Sequence, residues 1–363
     1  MFAIAAQQGL TEPCLLDVPE PREPGVGEVL CRTLQIGVCG TDRDILHGAA
    51  PATPTDSEFL VLGHECLARV EVVGKGVVGL RVGDLVTPLV RRAFLPSNIR
   101  VDMLAFGQFV ERGIYLEHGF SSPYWLDRPE FLLPVPPELS DVAILTEPLS
   151  VVEKGVNEAI ILQQARLSPD TWITEPPRVL VTGLGPIGFA GVLACVARGW
   201  PVSVLGRDRD DSFRAALVRE LGGSYLSNAG SDLEPSPDPE ATGYDLVLEC
   251  TGSDDVMLHA AQLMRSRAVM AWLGSERLPL SKSRNVGRMM RDGLIRNQLF
   301  VGCVNSAPRD FQQALAHLAL LRQSHGTALR KLITERVAPR ESLWHYTQRR
   351  PQGIKVVLEY EHE

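Results

Sequence analysis

Cys39 stands in the stretch GVCGTDRD, a thiol between small residues that is followed at once by a hydroxyl and three charges. A buried cysteine ordinarily acts as a small apolar filler among bulky neighbours. The glycine and polar groups flanking Cys39 do not suit that role. Later in the chain come Gly63-His64-Glu65 and, far beyond, Thr146-Glu147-Pro148-Leu149. A thiolate, an imidazole and a carboxylate make a sound donor set for a catalytic zinc that keeps one position open for water or substrate. A lone histidine or glutamate is more often structural. The three types together, upstream of a nucleotide-binding pattern, reverse that expectation.

That pattern is Gly183-Leu184-Gly185-Pro186-Ile187-Gly188, a GxGxxG between an expected strand and an expected helix. The first glycine makes the turn, the second lets the backbone approach a pyrophosphate, and the third lets helix and strand pack closely. Unpaired N–H groups at the helix start then face the phosphates. The next strand, PVSVLG, ends at Gly206 without an acid at its tip and is followed by Arg207, Asp208 and Arg209. Guanidinium groups there make a ribose 2′-phosphate tolerable or preferred, hence NADP or the use of both cofactors. The alternative is that these are solvated charges, with Asp208 doing the ribose-binding acid's work late and NAD as the cofactor.

Two kinds of scaffold must position these residues. Up to about Leu145 the chain runs in short alternating stretches such as EVLCRTL, LARVEVVG and DLVTPLV, broken by Gly, Pro and Asp, as in an irregular β domain. TEPLSVVEKGVNEAIILQQ then has helical spacing and reads as a connecting helix. Beyond Arg178 strands and amphipathic helices alternate, the grammar of a parallel sheet covered on both faces. The final strand, IKVVLEY, is expected to rejoin the first domain. The fold class is therefore α/β, with a catalytic domain over 1–160 plus 306–363 and a doubly wound nucleotide-binding domain over 161–305. Val179 to Ala197 carries no charge and is long enough to imitate a membrane span, but its glycines and Pro186 divide it into strand, turn and helix.

Composition narrows the function classes. In 363 residues, 45% are hydrophobic and 22% charged, a globular balance, and the net charge of −8 offers no basic footprint for nucleic acid or anionic lipid. Seven scattered cysteines without a CxxC pair argue against a disulfide framework and for a reducing compartment. The opening MFAIAAQQGL has no basic leader and too short an apolar run for a secretory signal, so a cytoplasmic protein is expected.

The blocks GVCGTDRDI, LVLGHE, VEVVGKGV, RVGDLV, LTEPLSVVEK, GLGPIG, ECTGS and FVGCVNS, spread over nearly the whole chain, resemble the zinc-dependent medium-chain dehydrogenases. EPLSVVEK and VGCVNS point to their glucose 1-dehydrogenase-like branch. The resemblance implies a GroES-like β domain beside a Rossmann domain, and hydride transfer from a sugar, polyol or related secondary alcohol to NAD(P). It places Cys39, His64 and Glu147 at the zinc positions, with Glu65 able to approach the metal, and makes Thr41 the proton relay. Glu111 and Asn305 match sugar-contacting positions, with Asn305 also beside the nicotinamide. Leu184 to Ile187, Arg207, Leu273, Gly274, Ser275, Cys303, Val304 and Lys355 fall where the cofactor is held, with Arg209 beside them. A homodimer or homotetramer is implied.

Two departures from the family pattern carry consequences. After PLVRR the chain reads AFLPSNIRVDML, without the cysteines of a structural four-cysteine lobe, so one catalytic zinc per chain and no structural zinc is expected. Val90 stands where the sugar branch tends to carry an asparagine, and an apolar side chain cannot replace that hydrogen bond to a sugar hydroxyl.

Overall fold

The computed structural model describes residues 1–47, 51–228, 238–274 and 285–360. The chain forms two compact units: Met1–Glu147 with Asn305–Ala319 and Ile333–Glu363, and Pro148–Val304 with Leu320–Leu332. The sequence placed the division at 160/161 and returned the whole tail to the first unit. Instead the second unit takes nearly all of the helix Thr146–Arg166 and the last part of the helix Pro308–Lys331. The apolar stripe of TEPLSVVEKGVNEAIILQQ identifies a helix but not which unit it joins; Leu149, Val152 and Val156, all in the second unit, are fully buried.

The first unit is built on a seven-stranded sheet whose centre is the strand Val29–Val38. On one side it pairs antiparallel with Glu65–Val73, and on the other with the C-terminal strand Lys355–Glu359. Residues from the two ends of the sequence thus meet across one strand, and IKVVLEY rejoins the first unit as expected. Ile4, Ile36, Leu62, Val70, Phe120 and Leu358 are among the fully buried residues of its core.

The second unit holds a six-stranded sheet, all parallel. Its spatial order is Ser224–Ser227, Val202–Gly206, Val179–Thr182, Tyr244–Glu249, Met264–Trp272, Leu299–Gly302. In order of occurrence this is 3-2-1-4-5-6, the doubly wound dinucleotide-binding arrangement, with its switch point beside Val179–Thr182. The central strands Val179–Thr182, Val202–Gly206 and Tyr244–Glu249 are mostly buried, as in a sheet covered on both faces, whereas the edge strands Ser224–Ser227 and Leu299–Gly302 are more open. The uncharged run resolves into the strand Val179–Thr182 and the helix Pro186–Ala197, and no described helix is long and apolar enough to cross a membrane.

Candidate metal and nucleotide sites

Cys39 ends the strand Val29–Val38 and opens the helix Gly40–His47. In the first turn of that helix Asp42 reaches back, and its Oδ2 accepts the Cys39 N–H at 2.9 Å, half of a capping box that fixes the thiol's position. Its other oxygen, Oδ1, lies 3.5 Å from Nδ1 of His64, with both side chains buried. At that distance the two atoms form no hydrogen bond, and the contact is electrostatic; a carboxylate beside one ring nitrogen is the arrangement that orients metal-ligating imidazoles. His64 follows Gly63, whose φ of +85° and whose Cβ position, 2.4 Å from Oγ of Ser121, admit no side chain.

Glu65 opens the neighbouring strand opposite Gly37. A Cβ on Gly37 would stand 2.2 Å from Glu65 Oε2, so that glycine is a cradle for the carboxylate. Lys355 donates to both Glu65 oxygens, at 2.7 and 2.6 Å, and to the Val38 carbonyl at 3.2 Å. The sequence placed Lys355 among the cofactor-holding residues. In the structure its ammonium is buried in the first unit on Glu65, because the C-terminal strand runs beside Val29–Val38.

Donor atoms of Cys39, His64 and Glu65 lie within 4.8 Å of one another. Glu147, expected with them, is not part of that group, although its carboxyl feels the same charges. Burial pushes it up to about 7; Glu65 and Glu111 add to the rise, while His64 and Lys355 oppose it. Burial alone would strip the proton from His64, yet the Cys39 and Asp42 charges outweigh it and hold the imidazolium well above its ordinary value. The same balance of burial against Glu65 and Cys39 keeps Lys355 above the ordinary lysine value. The Cys, His and carboxylate donors of this buried corner fit a zinc ion.

Thr41 lies half-buried in the first turn after Cys39. Glu111 Oε1 accepts from Asn305 Nδ2 at 2.7 Å and from Arg91 Nε at 3.0 Å, with Arg91 Nη2 at 2.9 Å. The two sugar-contacting candidates are therefore joined directly. Asn305 has a φ of +60° and its Oδ1 accepts the Ser306 N–H at 2.7 Å, a conformation asparagine tolerates better than most residues. Arg91 and Asp42 were not singled out from the sequence. The acid three residues after Cys39 was a usable signal, whereas nothing in PLVRR says which arginine meets Glu111: both are buried, and Arg92 pairs with Asp127 instead. Val90 is 1% exposed. The stretch replacing the cysteine lobe is held by Arg100 on Asp102 at 2.6 Å and by Phe106, Phe109 and Tyr115 in ring contact.

In the second unit Gly183 has a φ of +90°, and a Cβ on Gly188 would stand 2.1 Å from the Gly183 carbonyl oxygen. Gly185 caps the helix with extended backbone, Pro186 takes the first turn, and a Cβ on Gly185 would meet no atom within 4 Å. That open approach, facing helix N–H groups at Ile187 and Gly188 that have no intrahelical acceptor, fits a pyrophosphate. Leu184 lines the same turn, 6% exposed. The Leu273 and Gly274 N–H groups bond the Glu249 carbonyl at 2.8 and 3.0 Å, and Cys303 N–H bonds the Trp272 carbonyl at 2.9 Å. Val304 is exposed, with its carbonyl on Lys154 Nζ at 2.8 Å. Ser275 lies outside the described residues.

Arg207 is exposed and makes no hydrogen bond or ion pair among the described residues. Asp208 is gripped by Arg214, with Nε to Oδ2 at 2.7 Å and Nη2 to Oδ1 at 2.6 Å. Arg209, expected at the cofactor, is turned onto Asp211 at 3.0 Å, because the carboxylate two residues on is within easy reach.

Residues 25–136 match the alcohol dehydrogenase GroES-like domain and residues 140–360 the glucose dehydrogenase C-terminus. The chain is 37% identical to glucose 1-dehydrogenase of Thermoproteus tenax over 99% of both chains, and 38% identical to glucose 1-dehydrogenase 1 of Caldivirga maquilingensis over 89% of this chain and 88% of that one. The chain belongs to the zinc-dependent glucose dehydrogenase family. Among solved structures, Haloferax mediterranei glucose dehydrogenase in complex with NADP, Zn and gluconolactone is similar with a TM-score of 0.83 and 27% identity, over 99% of each chain. Family membership makes this chain a zinc-dependent NAD(P) dehydrogenase with a small-molecule substrate.

Proposed function

We propose that the chain oxidises the anomeric hydroxyl of an aldose, or a secondary hydroxyl of a related polyol, with NADP preferred over NAD. The observation that carries it is the juxtaposition of Cys39, His64 and Glu65 within 4.8 Å, backed by Asp42 and Lys355, in a chain whose relatives are named glucose 1-dehydrogenase. Cys39 and His64 would hold the zinc, with Glu65 and Glu147 as the available carboxylates. When bound, the ion supplies Lewis-acid polarisation of the substrate oxygen.

The reaction removes the proton of a hydroxyl and a hydride from the carbon that bears it. Thr41 accepts the hydroxyl proton and passes it outward, and the hydride leaves the same carbon for the nicotinamide. Glu111 and Asn305, joined at 2.7 Å, orient the remaining hydroxyls. Gly183, Gly185 and Gly188 admit the pyrophosphate, and Arg207 receives the 2′-phosphate. Cytoplasmic residence agrees with seven free cysteines, and assembly as a homodimer or homotetramer follows the family resemblance.

A panel of aldoses and polyols assayed with both cofactors tests this. We expect turnover with NADP on at least one aldose. Glucose itself should lag a better-matched sugar by about ten- to a hundredfold, because Val90 leaves one hydroxyl desolvated at about 1–3 kcal/mol. Val90→Asn should raise activity on glucose specifically. A second proposal, favoured by Val90, keeps the chemistry with a non-sugar secondary alcohol as substrate; activity on such alcohols and on none of the sugars would select it.

A further inference from the structure

The loop after the second strand of the parallel sheet runs Arg207, Asp208, Arg209, Asp210, Asp211. Four of these five charges are already matched. Arg209 lies on Asp211, Arg219 on Asp210, and Arg214 on Asp208. The pairs are not equivalent. Arg209 and Asp211 are 82% and 70% exposed, so water competes with their attraction, whereas Arg214 and Asp208 are 22% and 11% exposed and meet through two nearly parallel N–H to oxygen bonds. Only the second pair is built to stay closed.

We propose that Arg214 sets the cofactor preference of this enzyme by neutralising Asp208. The inference rests on placing the adenosine ribose at this loop. The strand tip itself cannot carry an acid, because a Cβ on Gly206 would meet Leu184 Cδ1 at 2.8 Å and Tyr225 Oη at 2.9 Å. Asp208 is therefore the first carboxylate after the strand, where a free acid accepts hydrogen bonds from the ribose of NAD and repels the 2′-phosphate of NADP. Arg214 removes both effects. It spends the carboxylate's acceptors and cancels its charge, and the field left at the loop is that of Arg207. The pair also abuts the glycine turn, since Arg214 Nη1 lies 3.5 Å from the Leu184 carbonyl.

Asp208 does not need Arg214 to keep its place. Its carbonyl accepts from Tyr225 Oη and Ser227 Oγ, each at 2.7 Å. The helix bearing Arg214 is capped by Ser212 Oγ, which accepts the Ala215 N–H at 3.1 Å. Loss of the guanidinium therefore exposes the carboxylate without undoing the loop.

Dissociation constants for NADPH and NADH, measured by cofactor fluorescence on the zinc-loaded enzyme, test the assignment. Arg214→Gln should weaken NADPH about tenfold and tighten NADH about threefold, on the order of 2 kcal/mol of changed discrimination. Asp208→Asn in the Arg214→Gln background should return NADPH to within about threefold of the parent. An unchanged ratio in Arg214→Gln, or a double variant that stays as weak for NADPH as the single one, overturns the proposal, the latter because Arg214 then touches the phosphate itself. Asp208→Asn alone, which leaves the Arg214 charge unmatched, should leave NADH unchanged and tighten NADPH about threefold; a clear loss of NADH binding would show Asp208 serving the ribose already and would also overturn it. Arg207→Ala separates the two layers. If it weakens NADPH while Arg214→Gln leaves the ratio unchanged, the fault lies with Arg214, whereas no effect from either places the ribose elsewhere.

Discussion

At the metal corner Lys355 and Glu65 are 0% and 1% exposed, while Arg209 and Asp211 in the nucleotide loop are 82% and 70% exposed. Both pairs lie within hydrogen-bond distance, yet burial gives them different meanings. In the corner each charge is stripped of water and must be met by the protein, so Cys39, Asp42, His64, Glu65 and Lys355 form one interdependent set. In the loop most charges are solvated; the exceptions are Asp208 and Arg214, which are half-buried, while Arg207 is exposed and unmatched among the described residues. The corner is organised for chemistry on one small group. In the proposed reading the loop tells two nearly identical cofactors apart, which takes only a modest difference in free energy.

The comparison breaks first at Cys39. Cys39→Ala should lower kcat/KM by at least about a thousandfold, about 4 kcal/mol, and elemental analysis should find about one zinc per parent chain and little in the variant. Two zinc ions per parent chain, or a full ion in the variant, would sink the assignment. Next is Lys355→Met, which leaves Glu65 as a buried carboxylate without its cation. Breaking a buried pair in this way costs about 3–5 kcal/mol. Urea unfolding should show that loss, with part of it recovered in Lys355→Met/Glu65→Gln; an unchanged midpoint would mean that Glu65 finds solvent or another partner.

Two smaller effects sharpen the loop side. Arg207→Ala should weaken NADP about tenfold while sparing NAD, by loss of charge-assisted hydrogen bonds of about 1.5–3 kcal/mol; equal losses for both cofactors would remove Arg207 from the 2′-phosphate. Arg209→Ala should change either affinity less than about threefold, since exposed pairs contribute about 0–1 kcal/mol. A tenfold effect would show that Arg209 leaves Asp211 for the cofactor.

Patterns local to the chain were legible without coordinates. GLGPIG between an apolar strand and an apolar helix specifies its own geometry, since the φ of +90° at Gly183 and the 2.1 Å approach at Gly188 demand glycine whatever surrounds them. The strand and helix alternation beyond Arg178 likewise determined a parallel sheet, because period and polarity are properties of neighbouring residues. The donor types at Cys39, His64 and Glu147, with Glu65 beside them, were enough to suggest a metal, although the structure groups Glu65 and not Glu147 with the first two. What the sequence could not decide was which distant charges meet. Lys355 reaches Glu65 only because the last strand is laid beside Val29–Val38, and a lysine in IKVVLEY carries no mark of that pairing. The seam between the units was displaced for the same kind of reason, since an amphipathic helix shows its apolar face but not its partner. Asp208 was left open between ribose acceptor and solvated charge, and its pairing with Arg214 is fixed by the way a capped helix folds back over the loop. Backbone conformation is written in residues a few positions apart. Charge pairing in a low-dielectric interior depends on contacts that only the folded chain creates.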